Sequence, residues 1–431
     1  MMRGLYIILL FLVVEVPAFA VPKIGSWTEN GARVLFIEAH ELPIVDVRIV
    51  FSAGAARDGD KPGLATLSNS LLMSGAGGMN ADTIALRLES VGAAAGTESL
   101  RDMAIVSMRS LSDPDKLEVM TEVMRAVLTQ PTFPAADLER ERKQLLTTLE
   151  FKKQQPEEVA EEAFYKLLYG AHPYGSPAQG TPESVSALTR EQIVDFYRRY
   201  YVAQNAVVAV VGDMQESGAR ELVKNLIGAL PAGEAPAPIP EVTPLTQALR
   251  QHIDMPTVQT HVLVGQPGVT RDDPDYFPLY VGNHILGGSG FESRLMDDIR
   301  EKRGLAYSVY SYFLAMARPG PFIAGMQTRN EQAANALGLM NADIKRFIEE
   351  GPTAEELQKA VQNITGGFAL RIDSNKKLVE QLAVLAFYGL PLDYLDTFND
   401  RVRAVTVESI HDAFRRRLDA SRMVTITVGG G

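Results

Sequence analysis

The chain repeats itself, and that repeat limits its folds more than any other feature. A constant offset of 217 pairs Val185 with Val402, Ala187 with Ala404, Thr189 with Thr406, Glu191 with Glu408 and Ile193 with Ile410. The same offset pairs Arg198 with Arg415, Arg199 with Arg416, Val207 with Val424 and Gly212 with Gly429. A slightly smaller one aligns Asn69-Ser70-Leu71-Leu72 with Asn283-His284-Ile285-Leu286. So many identities at one spacing make the chain a tandem duplication of one α/β unit of about 200 residues. A length of 431 residues, too long for one ordinary core, agrees with two domains.

Within each unit the apolar pattern runs strands first, helices later. Residues 32–38 (ARVLFIE) and 44–51 (IVDVRIVF) read as strands, the second half-buried by alternation. A Gly-rich turn leads into GLATLSNSLLMSGAGG, apolar at helical spacing through Leu64, Leu67, Leu71 and Leu72. A short helix at 84–91 and strands at 93–100 and 103–111 follow, then helices at 116–128, from about Pro134, at 158–168 and at 190–201. Pro134 reads as a first-turn proline, and Pro156 interrupts that helix. A strand at 206–211 closes the unit. Hairpin-like strands followed by runs of helices predict α+β, each unit an antiparallel sheet flanked by helices. Between the units, LPAGEAPAPIPEVTP reads as a semi-extended linker. The expected division is an export signal at 1–20, a first domain at 21–229, a linker at 230–245 and a second domain at 246–431.

The first twenty residues carry Arg3, an apolar run at 5–14 and a small-x-small site at Ala18-Phe19-Ala20. They predict export with cleavage after Ala20, and the run is shorter than the 18–20 apolar residues of a membrane anchor. No stable membrane anchor is therefore expected after cleavage. There are no cysteines, so an exported chain would have no disulfides; with the signal this suits a bacterial periplasm. A net charge of −11 leaves no basic surplus for nucleic acid. Acidic runs such as Glu157-Glu158 and Glu161-Glu162 read as exposed helix faces, and Arg294, Asp297 and Asp298 as local helix pairs.

NGARVLFIE, GLATLSNSLL, AHPYGSPAQGTPESV at 171–185 and NHILGGSGFESRLMDDIREKRGLAYSV together resemble the M16 (insulinase/pitrilysin-like) metallopeptidase family in its two-domain bacterial form. The resemblance covers nearly the whole mature chain. It implies a clam-like pair of domains of the LuxS/MPP-like metallohydrolase type. Peptide-cutting members carry His-x-x-Glu-His on the helix after the Gly-rich turn, with a further Glu downstream as third zinc ligand. Here those places hold Thr66, Asn69, Ser70 and Thr148. Neutral hydroxyls are poor zinc ligands, and an amide cannot take a proton from water. The six histidines include no pair at i, i+3 or i+4, so no metal is expected in this chain. His172 in AHPYG reads as a turn histidine.

The second domain reads differently. Arg300 and Tyr307, seven residues apart, match the pair with which the family contacts substrate backbone and developing oxyanion. Two such donors suit the negative charge that builds on a carbonyl oxygen during hydrolysis. From the residues alone the competing reading is that Arg300, Lys302 and Arg303 simply complement a helix C-terminal dipole, with Tyr307 an ordinary strand aromatic. The run Gly287-Gly288-Ser289-Gly290 fits no phosphate-loop or serine-hydrolase frame. It reads either as a flexible loop at a substrate cavity or as a plain turn. The resemblance thus implies a substrate-positioning subunit whose zinc sits in a His-x-x-Glu-His partner, or else a zinc-free peptide-binding or scaffolding protein.

Overall fold

The computed structural model describes residues 23–430; the expected export signal lies outside the described residues. The first half contains β1 (Ile24–Glu29), β2 (Ala32–Glu38), β3 (Ile44–Phe51), α1 (Leu64–Ser70), the small hairpin β4 (Gly75–Ala76) and β5 (Met79–Asn80), and α2 (Ala81–Ser90). It continues through β6 (Ala94–Ser99), β7 (Ala104–Leu111), α3 (Pro114–Thr129), α4 (Ala135–Lys152), α5 (Pro156–Tyr169), α6 (Pro182–Ala187), α7 (Arg190–Tyr200), β8 (Ala206–Gly212) and α8 (Glu216–Ile227). The second half has β9 (Leu249–Ile253), β10 (Gln259–Pro267), α9 (Tyr276–Asn283), β11 (Ala306–Phe313) and β12 (Pro321–Arg329). It ends with α10 (Ala333–Glu350), α11 (Ala354–Gly367), α12 (Asn375–Phe387), α13 (Tyr394–Arg403), α14 (Val407–Arg417) and β13 (Val424–Val428).

The two sheets share one topology. The first has the order β1-β2-β8-β3-β7-β6 and the second β9-β13-β10-β12-β11. Strand β2 therefore corresponds to β9, β8 to β13, β3 to β10, β7 to β12 and β6 to β11. Helices α7 and α14 stand 217 residues apart, each opened by a capping box on Thr189 or Thr406. The α+β architecture of two tandem, antiparallel-dominated units is present, with one refinement. Each sheet contains a parallel pair, β2 with β8 and β9 with β13. The closing strand returns after a long helical crossover, which leaves it free to run parallel to the first.

Each half supplies a helix to the other half's sheet. α12 lies on β3 and β8, and α5 lies on β10 and β13. Leu35, Ile37, Val50, Ala209 and Val211 of the first sheet join one core with Leu378, Val379, Leu382 and Leu385 of α12. Ala160, Phe164 and Leu168 of α5 pack with Val424, Ile426 and Val428. The opposite face of the first sheet carries α1, α3, α7 and α8, through Leu67, Met120, Ile193 and Leu222 among others. Covering on both faces explains why β8 reads AVVAVVG, a continuous apolar run rather than an alternating one.

Several local expectations change. Pro134 precedes α4 as its N-cap, while the first-turn prolines are Pro114, Pro156 and Pro182. Residues 231–248 contain no helix or strand, yet the linker is docked: Arg57 donates to Ala237 O at 2.7 Å, Arg318 to Ile239 O at 2.6 Å, and Ile239 is buried. His172 caps the turn at Tyr174 N and reaches Pro240 O at 3.0 Å, the turn role read from the sequence.

Candidate functional site

Helix α1 begins where Gly63 turns left-handed, with φ 92°. The buried Asp58 carboxylate accepts from Gly63 N at 2.8 Å and Ala65 N at 2.7 Å, satisfying the first turn's free donors. The side chains at the zinc-motif positions are then committed within the protein. Thr66 donates to Ala178 O at 2.9 Å, Ser70 to Leu67 O at 3.1 Å, and Thr148 on α4 to Gln144 O at 3.1 Å. Asn69 is 1% exposed; its amide donates to Glu98 O at 2.8 Å and Ile105 O at 3.4 Å, and its oxygen accepts from Tyr201 at 3.0 Å. Zinc sites need thiolate, imidazole or carboxylate donors. Three hydroxyls and a saturated amide do not supply them, so these residues do not fit a zinc ion. Among the described residues no group of three or more His, Asp or Glu is arranged to hold a metal ion.

The counterpart residue Asn283 does the same work in the second half. Its amide donates to Ser311 O at 2.9 Å and its oxygen accepts from Ser311 Oγ at 2.8 Å. In both repeats an asparagine ties the helix to the strands at the sheet's edge. The repeat alignment of Asn69 with Asn283 already carried that signal.

The stretch from Gly287 to Tyr307 is wound unlike the single α-helix its pattern suggests. Residues His284–Gly288 and Met296–Glu301 form π turns, and Lys302 N bonds Asp297 O at 2.9 Å, five residues back. Such turns are rare and gather at functional sites. In the glycine run, a Cβ on Gly287 would lie 2.4 Å from Ser311 Oγ, and one on Gly288 would lie 2.9 Å from the Asn283 amide. Ser289 leads to Gly290, which is left-handed at φ 63°. These are turn and close-packing roles.

Gly304, at φ 63°, ends the helical winding, and β11 begins at Ala306. Pairing with β12 jumps from Ala306↔Thr328 to Val309↔Met326, leaving a bulge at Tyr307 and Ser308. Bulges re-aim side chains at sheet edges, and Tyr307 is 80% exposed. The Arg300 guanidinium lies between two rings, 4.5 Å from the centre of Phe291 and 4.8 Å from that of Tyr307. Lys302 pairs with Asp297 at 2.6 Å and Arg303 with Asp298 at 3.3 Å, whereas among the described carboxylates Arg300 meets Glu301 alone, at 3.5 Å. Arg300 and Tyr307 are thus brought together, and Phe291 is a partner that sequence spacing did not flag. Arg294 corrects the local-pair expectation. It forms a bidentate pair with Glu356 of α11 at 2.6 and 2.7 Å and donates to Gly351 O. Burial would raise the Glu356 carboxyl, but that guanidinium and the Thr353 N–H hold it down at about 2.

A cavity of about 710 Å³ opens between the halves, walled by α5, the 177–183 loop and the edge strand β9. Arg101, Lys152, Lys153 and Lys166 face it together with Glu158, Glu161, Glu162 and Glu183. Glu161 and Glu162 are exposed, as expected of a solvated helix face, and with Glu158 they also line this mixed-charge groove, beside the loop to which Thr66 is bonded.

Residues 33–182 match the family model described as Insulinase (Peptidase family M16), and residues 187–364 match that of the Peptidase M16 inactive domain. A crystal structure of a peptidase M16 inactive domain from Pseudomonas fluorescens is 39% identical, with a TM-score of 0.92 over 95% of this chain and 98% of that one. The chain belongs to the M16 peptidase family. A protease structure from Helicobacter pylori shares the fold at 18% identity, with a TM-score of 0.87 over 95% of this chain and 100% of that one. Among named relatives, the non-peptidase homolog YmxG of Helicobacter pylori is 27% identical over 89% of each chain. An uncharacterized zinc protease of Streptomyces coelicolor is 29% identical over 80% of this chain and 76% of its own. Thr66, Asn69, Ser70 and Thr148 fall within the insulinase match, and Arg300 and Tyr307 within the inactive-domain match.

Proposed function

We propose that this M16 chain is the noncatalytic, substrate-positioning subunit of an exported heterodimeric zinc peptidase acting on peptides or unfolded polypeptides. The partner carries the His-x-x-Glu-His motif and its zinc. This chain closes the other half of the chamber and offers Arg300 and Tyr307 to the substrate backbone and oxyanion. The observation that carries the reading is the pairing of Arg300 with an exposed, bulge-aimed Tyr307 in a chain whose zinc positions hold committed Thr, Asn and Ser side chains. An extended peptide can add to an exposed sheet edge, gaining backbone hydrogen bonds without sequence preference. Activity then depends on assembly.

The test is a peptidase assay on the purified chain, alone and mixed with a His-x-x-Glu-His partner, with and without chelator. The expected result is no turnover from the chain alone and chelator-sensitive turnover from the mixture. Turnover by the chain alone overturns the reading. The name of the Helicobacter relative, a non-peptidase homolog, favours a second reading, a zinc-free peptide-binding or scaffolding protein. Peptide binding with no activity in any M16 mixture selects that alternative.

A further inference from the structure

The second half contains a cavity where the first half has its altered zinc motif. Since Asn69 corresponds to Asn283, Thr66 and Ser70 correspond to Tyr280 and His284. Tyr280, His284 and Asn283 line a cavity of about 280 Å³ with Tyr276, Phe313 and Arg371. No lining residue is acidic. The Arg371 guanidinium stands 5.7 Å from the centre of the Tyr280 ring, and it forms no ion pair with a described carboxylate. Among the described residues the buried Tyr280 hydroxyl finds no acceptor for its proton; its polar neighbour is the Arg371 guanidinium, itself a donor. Burial, and then Arg371, hold the His284 imidazole toward its neutral form. Behind the wall, Arg271 lies 4.2 Å from the centre of the Tyr276 ring, with one buried guanidinium nitrogen unbonded.

A donor without an acceptor and a cation without an ion-pair partner therefore meet at a small aromatic-walled space. Leaving a buried donor unsatisfied is costly, and a carboxylate answers both deficits at once. The walls favour an apolar body, and the volume suits one residue-sized group rather than a folded partner. We propose that this cavity binds a carboxylate carried on an aromatic or apolar residue-sized group, with Arg371 as its ion-pair partner and Tyr280 as its hydrogen-bond donor. The group can be a free acid or the C-terminus of a peptide. The proposal does not rest on the zinc-peptidase partner, because it concerns the isolated chain.

Titration calorimetry on the full chain tests it with N-acetylphenylalanine, its amide, and a hexapeptide ending in Phe as free acid or amide. Both acids are expected to bind at least tenfold more tightly than their amides. Arg371→Gln should lose at least tenfold and Tyr280→Phe several-fold in affinity for the acids. Equal binding of both acids identifies peptide C-termini as ligands, and binding of the small acid alone identifies a free metabolite. Failure of both acids to bind the wild-type chain, or undiminished binding by Arg371→Gln, overturns the proposal. Arg371 is exposed on a short turn, so its replacement leaves the core intact.

Discussion

Arg300 differs from the other cations on its turn in what it touches. Lys302 and Arg303 form ion pairs with aspartates of the same turn, the local pairing of solvated cations at a helix end. Arg300 meets Glu301 at 3.5 Å and lies against two aromatic rings, a contact worth about 0.5–1 kcal/mol at an exposed site. Ring contacts of this kind orient a guanidinium without using its N–H donors. In a complex with a zinc-bearing partner, Arg300→Ala is expected to lower turnover about 10²–10³-fold without weakening assembly. Tyr307→Phe should lower it less, and Phe291→Ala should act through the loss of Arg300's second ring. Steady-state kinetics beside a sedimentation assay of the complex check this; unchanged turnover in both Arg300→Ala and Tyr307→Phe returns the pair to a structural role. Asn69 gives the opposite test. Glu there would set a carboxylate against the Glu98 and Ile105 carbonyls that now receive an amide, so Asn69→Glu should cost about 2–4 kcal/mol in urea unfolding. The Arg300–Tyr307 spacing was legible in the sequence because both residues lie in one local stretch. Phe291 was not, because a stack across a glycine turn depends on a winding that residue patterns do not encode.

Among the secondary elements, those set by local chemistry were the readable ones. Helices α7 and α14 announce themselves through Thr caps and a repeated apolar stripe, and β3 is the expected strand, although it is buried on both faces rather than half-buried, with Asp46 and Val50 also covered. What the sequence hid are choices settled by partners far along the chain: the parallel seating of β8 and β13, the π turns, and the pairing of Arg294 with Glu356. This last pair has a measurable signature. The Glu356 carboxyl is depressed to about 2 in the folded chain, against about 4.3 for an unperturbed Glu. A depressed carboxyl contributes stability that is fully present above its unfolded value and is lost as pH falls toward the folded one. The window is therefore about pH 4.3 down to about 2, and the loss is on the order of 2–3 kcal/mol. Glu356→Gln is expected to lower stability at pH 7 and to flatten the pH dependence across that window. Denaturant titrations at several acidic pH values check this, and an unchanged slope would remove Glu356 from the account. Arg294→Met should behave alike, since it leaves the carboxylate without its main partner.

At the scale of the whole molecule, the exchange of α5 and α12 makes the halves interdependent. Cut at the linker, the first half would expose Leu35, Ile37, Val50 and Val211, and the second would expose Val424, Ile426 and Val428. Full burial of such side chains contributes roughly 1.5–3 kcal/mol each, comparable in sum to the whole stability of a domain. A buried carboxylate fastens the same junction. Asp102, from the β6–β7 loop, accepts from Tyr174 at 2.6 Å and from Ala317 N at 2.8 Å in the loop between β11 and β12. Tyr388, just past α12, reaches the same carboxylate at 3.3 Å, and the Tyr174 hydroxyl accepts from Arg318 N. Burial raises the Asp102 carboxyl above its ordinary range, so the bonds it accepts must offset that cost. Asp102→Ala strips an acceptor from both sides of the junction and is expected to destabilise the chain by about 2–4 kcal/mol. If the halves depend on each other as the packing requires, calorimetry of the chain will give one transition whose van't Hoff and calorimetric enthalpies agree. Asp102→Ala will move that transition down without splitting it, and residues 23–229 expressed alone will lack cooperative melting. Two resolved transitions, or a cooperatively folded isolated half, would instead mean that the halves fold first and trade helices afterwards.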